Sequence, residues 1–225
     1  KSPHMIRFRT AFAALAAFAL VWLVAPRPAF AQSPDNVAVV INENSAASQV
    51  VGEHYIRKRA IPAANVVRIH APTDETINRD MYAATIEGPI AAALARGGLQ
   101  DQILYIVLTK GVPLRIAGSA GQEGTMASVD SELTLLYRRM VGLTLPLGGP
   151  IQNPYFLAAG AAGDAHRFSH RDYDIYLVTR LDAFTVEEAT MLVDSSMSAV
   201  PDGQIVLDER GALVSRTGEE WLERA

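Results

Sequence analysis

Two short, uninterrupted apolar runs, Val37-Ala38-Val39-Val40-Ile41 and Ile103-Leu104-Tyr105-Ile106-Val107-Leu108, with a third strand-like run between them, Asn65-Val66-Val67-Arg68-Ile69, set the tightest limit on what this chain can fold into. A strand with one wet face alternates apolar and polar residues, whereas a strand covered on both faces does not. The gaps between the runs are long enough for helices and carry helical spacing. In the first gap Ala47, Val50, Val51, His54 and Tyr55 recur at three- and four-residue steps. Ser45 is the natural N-cap there, and Arg57, Lys58 and Arg59 sit near the end, where the helix dipole favours cations. In the second gap residues 78–96 bring Tyr82, Ile86, Ile90, Ala93 and Leu94 to one side, with Pro89 as a kink or division and Gly97-Gly98 as the stop. Strand and helix in alternation predict parallel pairing. The expected fold is therefore α/β, a three-layer sandwich around a mostly parallel sheet of Rossmann-like order, with the run at 103–108 central.

The second half is less regular. Residues 112–116 read as a short strand, 117–124 as a glycine-rich loop, 128–140 as a helix, and 143–154 as a long loop or hairpin rich in Gly, Pro and Leu. Residues 174–178 read as a fourth strand, and Thr185 with Glu188 forms a capping box for a helix carrying Ala189, Leu192, Val193 and Met197. Pro201-Asp202-Gly203 turns into a fifth strand at 204–207. A second capping box, Thr217 with Glu220, opens a helix with only Trp221 to Ala225 left to it, which predicts a domain truncated at its C-terminus.

Ahead of the first strand, Arg7 and Arg9 precede an uncharged apolar run at 11–25, followed by Pro26, Pro28 and Ala29-Phe30-Ala31. Basic start, apolar middle and an A-x-A site make a secretory signal peptide; a spanning helix needs about 20 apolar residues. Cleavage is expected before Gln32, and Lys1 to His4, upstream of Met5, read as a tag remnant. The expected organisation is thus 1–31 as tag remnant and signal peptide and 32–225 as one α/β domain, exported to the periplasm or the exterior.

Loss of the leader removes Lys1, Arg7, Arg9 and Arg27 and no acid, so 20 basic against 24 acidic residues becomes 16 against 24. A net charge of about −8 repels phosphate backbones and anionic lipid, so neither nucleic acid nor, after cleavage, a membrane is an expected partner. The absence of cysteine excludes thiol nucleophiles and thiolate metal sites, and leaves packing alone to stabilise an exported domain.

Ligands of open α/β sheets bind beyond the carboxyl ends of the strands. The residues there are Asn42, Asn44 and Ser45 after the first strand, Thr109, Lys110 and Gly111 after the third, Thr179, Arg180 and Asp182 after the fourth, and Asp208 after the fifth. Asn42 and Asn44 also suit a turn, and Ser45 a helix cap. Lys110, held near the backbone between an apolar strand and a glycine, is suited to an anionic or carbonyl group. Arg180 and Asp182, two apart on an extended segment, can pair with each other or with Lys110. Asp130 and Glu132 begin a helix whose dipole favours carboxylates. With Asp182 and Asp208 they are the conceivable oxygen ligands of a hard cation, but their spacing matches no dedicated loop, and no metal is assigned. His166 and His170 are spaced like metal ligands on a helix, yet lie among loop residues and read as solvated. The catalytic candidates are Lys110, Asp182 and Asp130; the ligand-binding candidates are Asn42, Asn44, Ser45, Lys110, Arg180 and Asp182. Phosphate-loop, G-x-G-x-x-G, H-E-x-x-H and G-x-S-x-G patterns are all missing, so no cofactor is expected.

The strings NVAVVINENSAASQVVGEHYIRKRAIPAANVVRI, ILYIVLTKGVPLRI, SVDSEL, NPYF and YLVTRLDAFTVEEATMLVDSS, in that order from Asn36 to about Ser196, resemble an uncharacterised exported bacterial family found with exosortase-type protein-sorting systems. The resemblance implies an envelope setting and a longer protein, with further strands beyond Ala225, but no reaction. The sheet order also resembles that of caspase- and gingipain-like peptidases, whose His and Cys stand at strand ends; here the third strand ends in Thr109-Lys110-Gly111 and cysteine is missing. Two functions are expected: a hydrolase-like or processing activity on an envelope polymer, or a non-catalytic binding or scaffold domain for an exported partner.

Overall fold

The first apolar run becomes the first strand, with five of its six residues buried. The computed structural model describes residues 33–121, 124–143, 153–155 and 168–199. In chain order the strands are β1 (Val37–Asn42), β2 (Val66–Ile69), β3 (Thr76–Asn78), β4 (Tyr105–Thr109), β5 (Arg115–Gly121), β6 (Gly124–Ser128) and β7 (Leu177–Leu181). The helices are α1 (Ala46–Arg59), α2 (Arg79–Tyr82), α3 (Gly88–Arg96), α4 (Val129–Thr134), α5 (Leu136–Met140) and α6 (Val186–Ser195). The main sheet has the order β2-β1-β4-β7, with every pairing parallel. A second sheet, β3-β5-β6, joins one parallel and one antiparallel pair.

The pleat sends alternate residues of β1 into two cores, which is why the run carries no polar residue before Asn42. Ala38 and Val40 meet Val67, Ile69, Ile106 and Leu108 on one face, under Tyr82, Ile86, Ile90 and Leu94 of the α2–α3 segment and Val129, Leu133 and Leu136 of α4 and α5. Val39 and Ile41 meet Val107 and Ile61 on the other, with Tyr55 and Ile56 of α1 against them. The result is the expected three-layer α/β arrangement. On the second face α6 lies beside α1, tied by His54 Nε2 and Lys58 Nζ to Asp194 Oδ1 at 2.9 and 2.8 Å and by Arg59 Nη2 donating to Ser196 Oγ at 2.6 Å. Among the described residues no helix is long and apolar enough to cross a membrane.

Four local readings need correction. The buried face of α1 consists of Ser48, Val51 and Gly52, while Val50 is 52% exposed. A Cβ on Gly52 would lie 2.6 Å from Ile41 Cγ1, so α1 approaches the sheet most closely at its small residues, with Val51 buried beside them and Tyr55 and Ile56 packed on the core. The long helix divides before Pro89, not at it: residues Ala83–Glu87 widen into a π turn, and Gly88 N–H bonds the carbonyl of Ala83, five residues back. Proline lacks an N–H and crowds the carbonyl four residues earlier, which the wider turn accommodates. Residues 117–124, read as a loop, belong largely to the β5–β6 hairpin, and β3 was not foreseen. Finally, β7 begins three residues later than expected, because Ile175 and Tyr176 are buried in the core before sheet pairing starts at Leu177. Thr179 and Arg180 are therefore strand residues, with Asp182 just beyond the end. The expected fifth strand at 204–207, the second capping box, the leader and most of residues 143–154 lie outside the described residues.

Candidate functional site

The chain leaves β1 toward β2 on one side and later places β4 on the other, so the carboxyl ends of β1 and β4 flank the point where the strand order reverses. Asn42 stands there, fully buried. Its side-chain amide donates to the carbonyls of Gly111 at 2.9 Å and Pro72 at 3.3 Å, and its oxygen accepts from the N–H groups of Ala71 at 3.0 Å and Asn44 at 3.2 Å. Three separate loops are thus sewn together by one amide. Beneath it, the Ser48 and Thr109 hydroxyls are 2.5 Å apart, and Thr109 donates to the Val40 carbonyl at 2.8 Å. With its proton used there, Thr109 accepts from Ser48, which in turn accepts from Asn42 N–H at 2.7 Å.

Ser45 caps α1, accepting from Ser48 N–H at 3.2 Å. Gly111 has φ +89° and lies directly against the Ser45 hydroxyl, where a side chain has no room. Asn44 is exposed, and its amide donates to the Ala71 carbonyl at 3.0 Å. The three β1-end candidates therefore come together as expected, but as fasteners of the rim.

Lys110 and Asp182 also meet. Lys110 Nζ donates to Asp182 Oδ1 at 2.8 Å and to the Ala183 carbonyl at 2.6 Å, while the same carboxylate oxygen accepts from Ala183 N–H at 2.9 Å. Arg180 pairs with neither of them. Its Nη2 and Nε reach the two oxygens of Asp130 at 2.5 and 3.2 Å, and the guanidinium donates further to the carbonyls of Val112 at 2.6 Å and Pro113 at 3.0 Å. Asp130 is thus held by a specific arginine as well as by its place in the first turn of α4.

Two clusters escaped the sequence reading. Glu132 accepts from Arg79 at 2.9 and 3.3 Å and from Arg139 at 2.6 Å, and Arg139 also pairs with Glu87. This chain of charges ties α2 and the π turn to α4 and α5, above the buried Tyr82. Burial pushes the Glu132 carboxyl up, but the hydrogen bonds and charges of Arg79 and Arg139 outweigh it and hold the group below its usual range. Burial, with Glu87 nearby, drives the Tyr82 hydroxyl well up. The signal was weak: Glu132 and Arg139 lie seven residues apart across a helix break, and Glu87 is remote in sequence.

The second cluster gathers Tyr105, Tyr137, Tyr155, Tyr173, Tyr176, Phe168 and His170 at the amino end of β4 and β7. His170, read as solvated, is half-buried: its ring stacks on Tyr137 at 3.8 Å and its Nε2 is 2.6 Å from the Ile103 carbonyl. Burial and the Asp101 carboxylate 2.8 Å away push Tyr137 up to about 12. Five of the seven tyrosines fall in this cluster, a compositional bias that no motif would report.

His166 and Asp208 lie outside the described residues. Among the described residues no group of three or more His, Asp or Glu side chains is arranged to hold a metal ion. Compared with models of protein families, with curated proteins and with solved structures, the chain matches none.

Proposed function

We propose that this is an exported domain of the bacterial envelope that holds a partner, an exported protein or polymer, without transforming it. Export rests on the leader pattern from Arg7 to Ala31, and the envelope setting on the resemblance to the exosortase-associated family. The observation that carries the non-catalytic reading is the state of the rim. Asn42 uses both amide protons and both acceptor positions within the chain, Lys110 is closed onto Asp182, and Arg180 onto Asp130. A hydrolase needs a base or nucleophile directed at an incoming substrate, and these groups are directed at each other.

The test is calorimetric titration of the leader-free chain with envelope polymers and exported proteins, followed by mass spectrometry of what was bound. Saturable binding with the partner recovered unchanged is expected. A partner returned cleaved or modified, by an activity that disappears in folded Lys110→Ala or Asp182→Ala variants, contradicts the reading.

A further inference from the structure

We infer that Phe184 is the anchor by which this domain takes hold of its partner, and that the partner is a protein offering an apolar pocket edged by lysine or arginine; this rests on the binding-domain reading above. The phenylalanine is 97% exposed, in the turn between β7 and α6 at the same rim as Lys110. Such exposure of a large aromatic ring is unfavourable unless a second surface removes it from water.

Three features set it apart from a stray surface residue. First, the turn is fixed on both sides. Lys110 holds Asp182 and the Ala183 carbonyl before it, and after it Thr185 forms a complete capping box with Glu188, Thr185 Oγ accepting from Glu188 N–H at 3.1 Å and Glu188 Oε2 from Thr185 N–H at 3.1 Å. A ring presented on a rigid turn loses little freedom on binding, the property that makes a good anchor. Second, Phe184 occupies the position just before the N-cap, where an apolar side chain ordinarily folds onto the fourth helical residue as a staple. That residue is Ala189, which is buried, while the ring points away into solvent. Third, the exposed charges that follow it are acidic, Glu187 and Glu188 of the first turn of α6, while the half-buried Asp182 before it is already paired with Lys110. An acidic flank on an acidic chain opposes anionic lipid and favours a basic protein edge.

The experiment places p-benzoylphenylalanine at position 184, and separately at Met126 as an exposed control, in the full chain expressed in its native exporting bacterium. Irradiation is expected to give one discrete protein adduct from 184 and none from 126. The adduct partner, identified by mass spectrometry and purified, should bind the wild-type chain, lose about 10- to 100-fold in affinity for Phe184→Ala, keep its affinity for Met126→Ala, and weaken with added salt. An adduct within the chain itself, an adduct to lipid, no adduct, or a partner that binds Phe184→Ala as tightly as wild type overturns the proposal. In the last case a bound, unchanged partner leaves the binding-domain reading standing. Turnover of the partner removes that reading instead.

Discussion

A primary amide has two protons to give and two positions to accept, and at Asn42 all four are taken by the chain: Gly111 and Pro72 carbonyls on one side, Ala71 and Asn44 N–H groups on the other. Residues of this type at a strand end are what sequence reasoning selects as ligand-binding, and the structure brings Asn42 and Ser45 together at Gly111 and Lys110 onto Asp182. What sequence reasoning could not separate is a polar group facing a ligand from one facing a loop, because the partners are mostly backbone carbonyls and N–H groups, which every sequence supplies. Gly52 was legible only once the packing was known. On helix propensity alone Gly52→Ala gains about 1 kcal/mol, but its Cβ would stand 2.6 and 2.7 Å from the Ile41 side chain, and overpacking costs about 1–3 kcal/mol. The contact wins, so urea unfolding of Gly52→Ala is expected to show a lower midpoint with unchanged slope; a raised midpoint contradicts the close approach of α1 to the sheet.

Elements were legible where one period dominated. The runs that became β1 and β4 are strands covered on both faces, β2 at the sheet edge buries Val67 and Ile69 and exposes Arg68, and both Ser45 and the Thr185–Glu188 box cap the helices they were expected to cap. The reading failed where packing overrides local pattern: Ile175 and Tyr176 look like strand but serve the core, and the glycines of residues 117–124 look like loop but turn a hairpin. The Glu132 link between α2 and α4–α5 is likewise a tertiary event. Because its folded-state pKa is depressed, its contribution is present above the unfolded value of about 4.3 and is lost as pH falls through the folded value. Glu132→Gln should therefore lower stability at pH 7, and the deficit should shrink as both proteins are acidified below about pH 4. Urea midpoints measured across pH 3 to 7 check this; a deficit independent of pH contradicts the charged link.

At the scale of the molecule, one parallel sheet with helices on both faces concentrates stability in its middle. β1 and β4 are neighbours at the centre, and Val39, Val40, Ile41, Ile106 and Leu108 are all but inaccessible to solvent. Native-state hydrogen exchange should be slowest at the amides of Val39–Ile41 and Ile106–Leu108, and faster in β3 and in α6, whose outer side leaves Met191 and Leu192 exposed. Equal protection across both sheets would mean that the molecule does not open from its periphery. The fold class follows from the sequence because burial on both faces leaves a composition that nothing else explains. Function does not, because the rim's polar groups serve the same architecture that brings them together.

In the proposed reading the strand-end polar residues serve the fold, Asn42 above all, whose amide binds three loops together. Residues kept for a reaction are usually held at some cost to stability, so that removing them stabilises the protein, whereas a satisfied buried amide is lost at a cost of about 1–3 kcal/mol or more for its orphaned partners. Urea unfolding of Asn42→Ala at pH 7 distinguishes the two. A loss of at least about 2 kcal/mol is the predicted result, and a variant as stable as the wild type, or more stable, contradicts it.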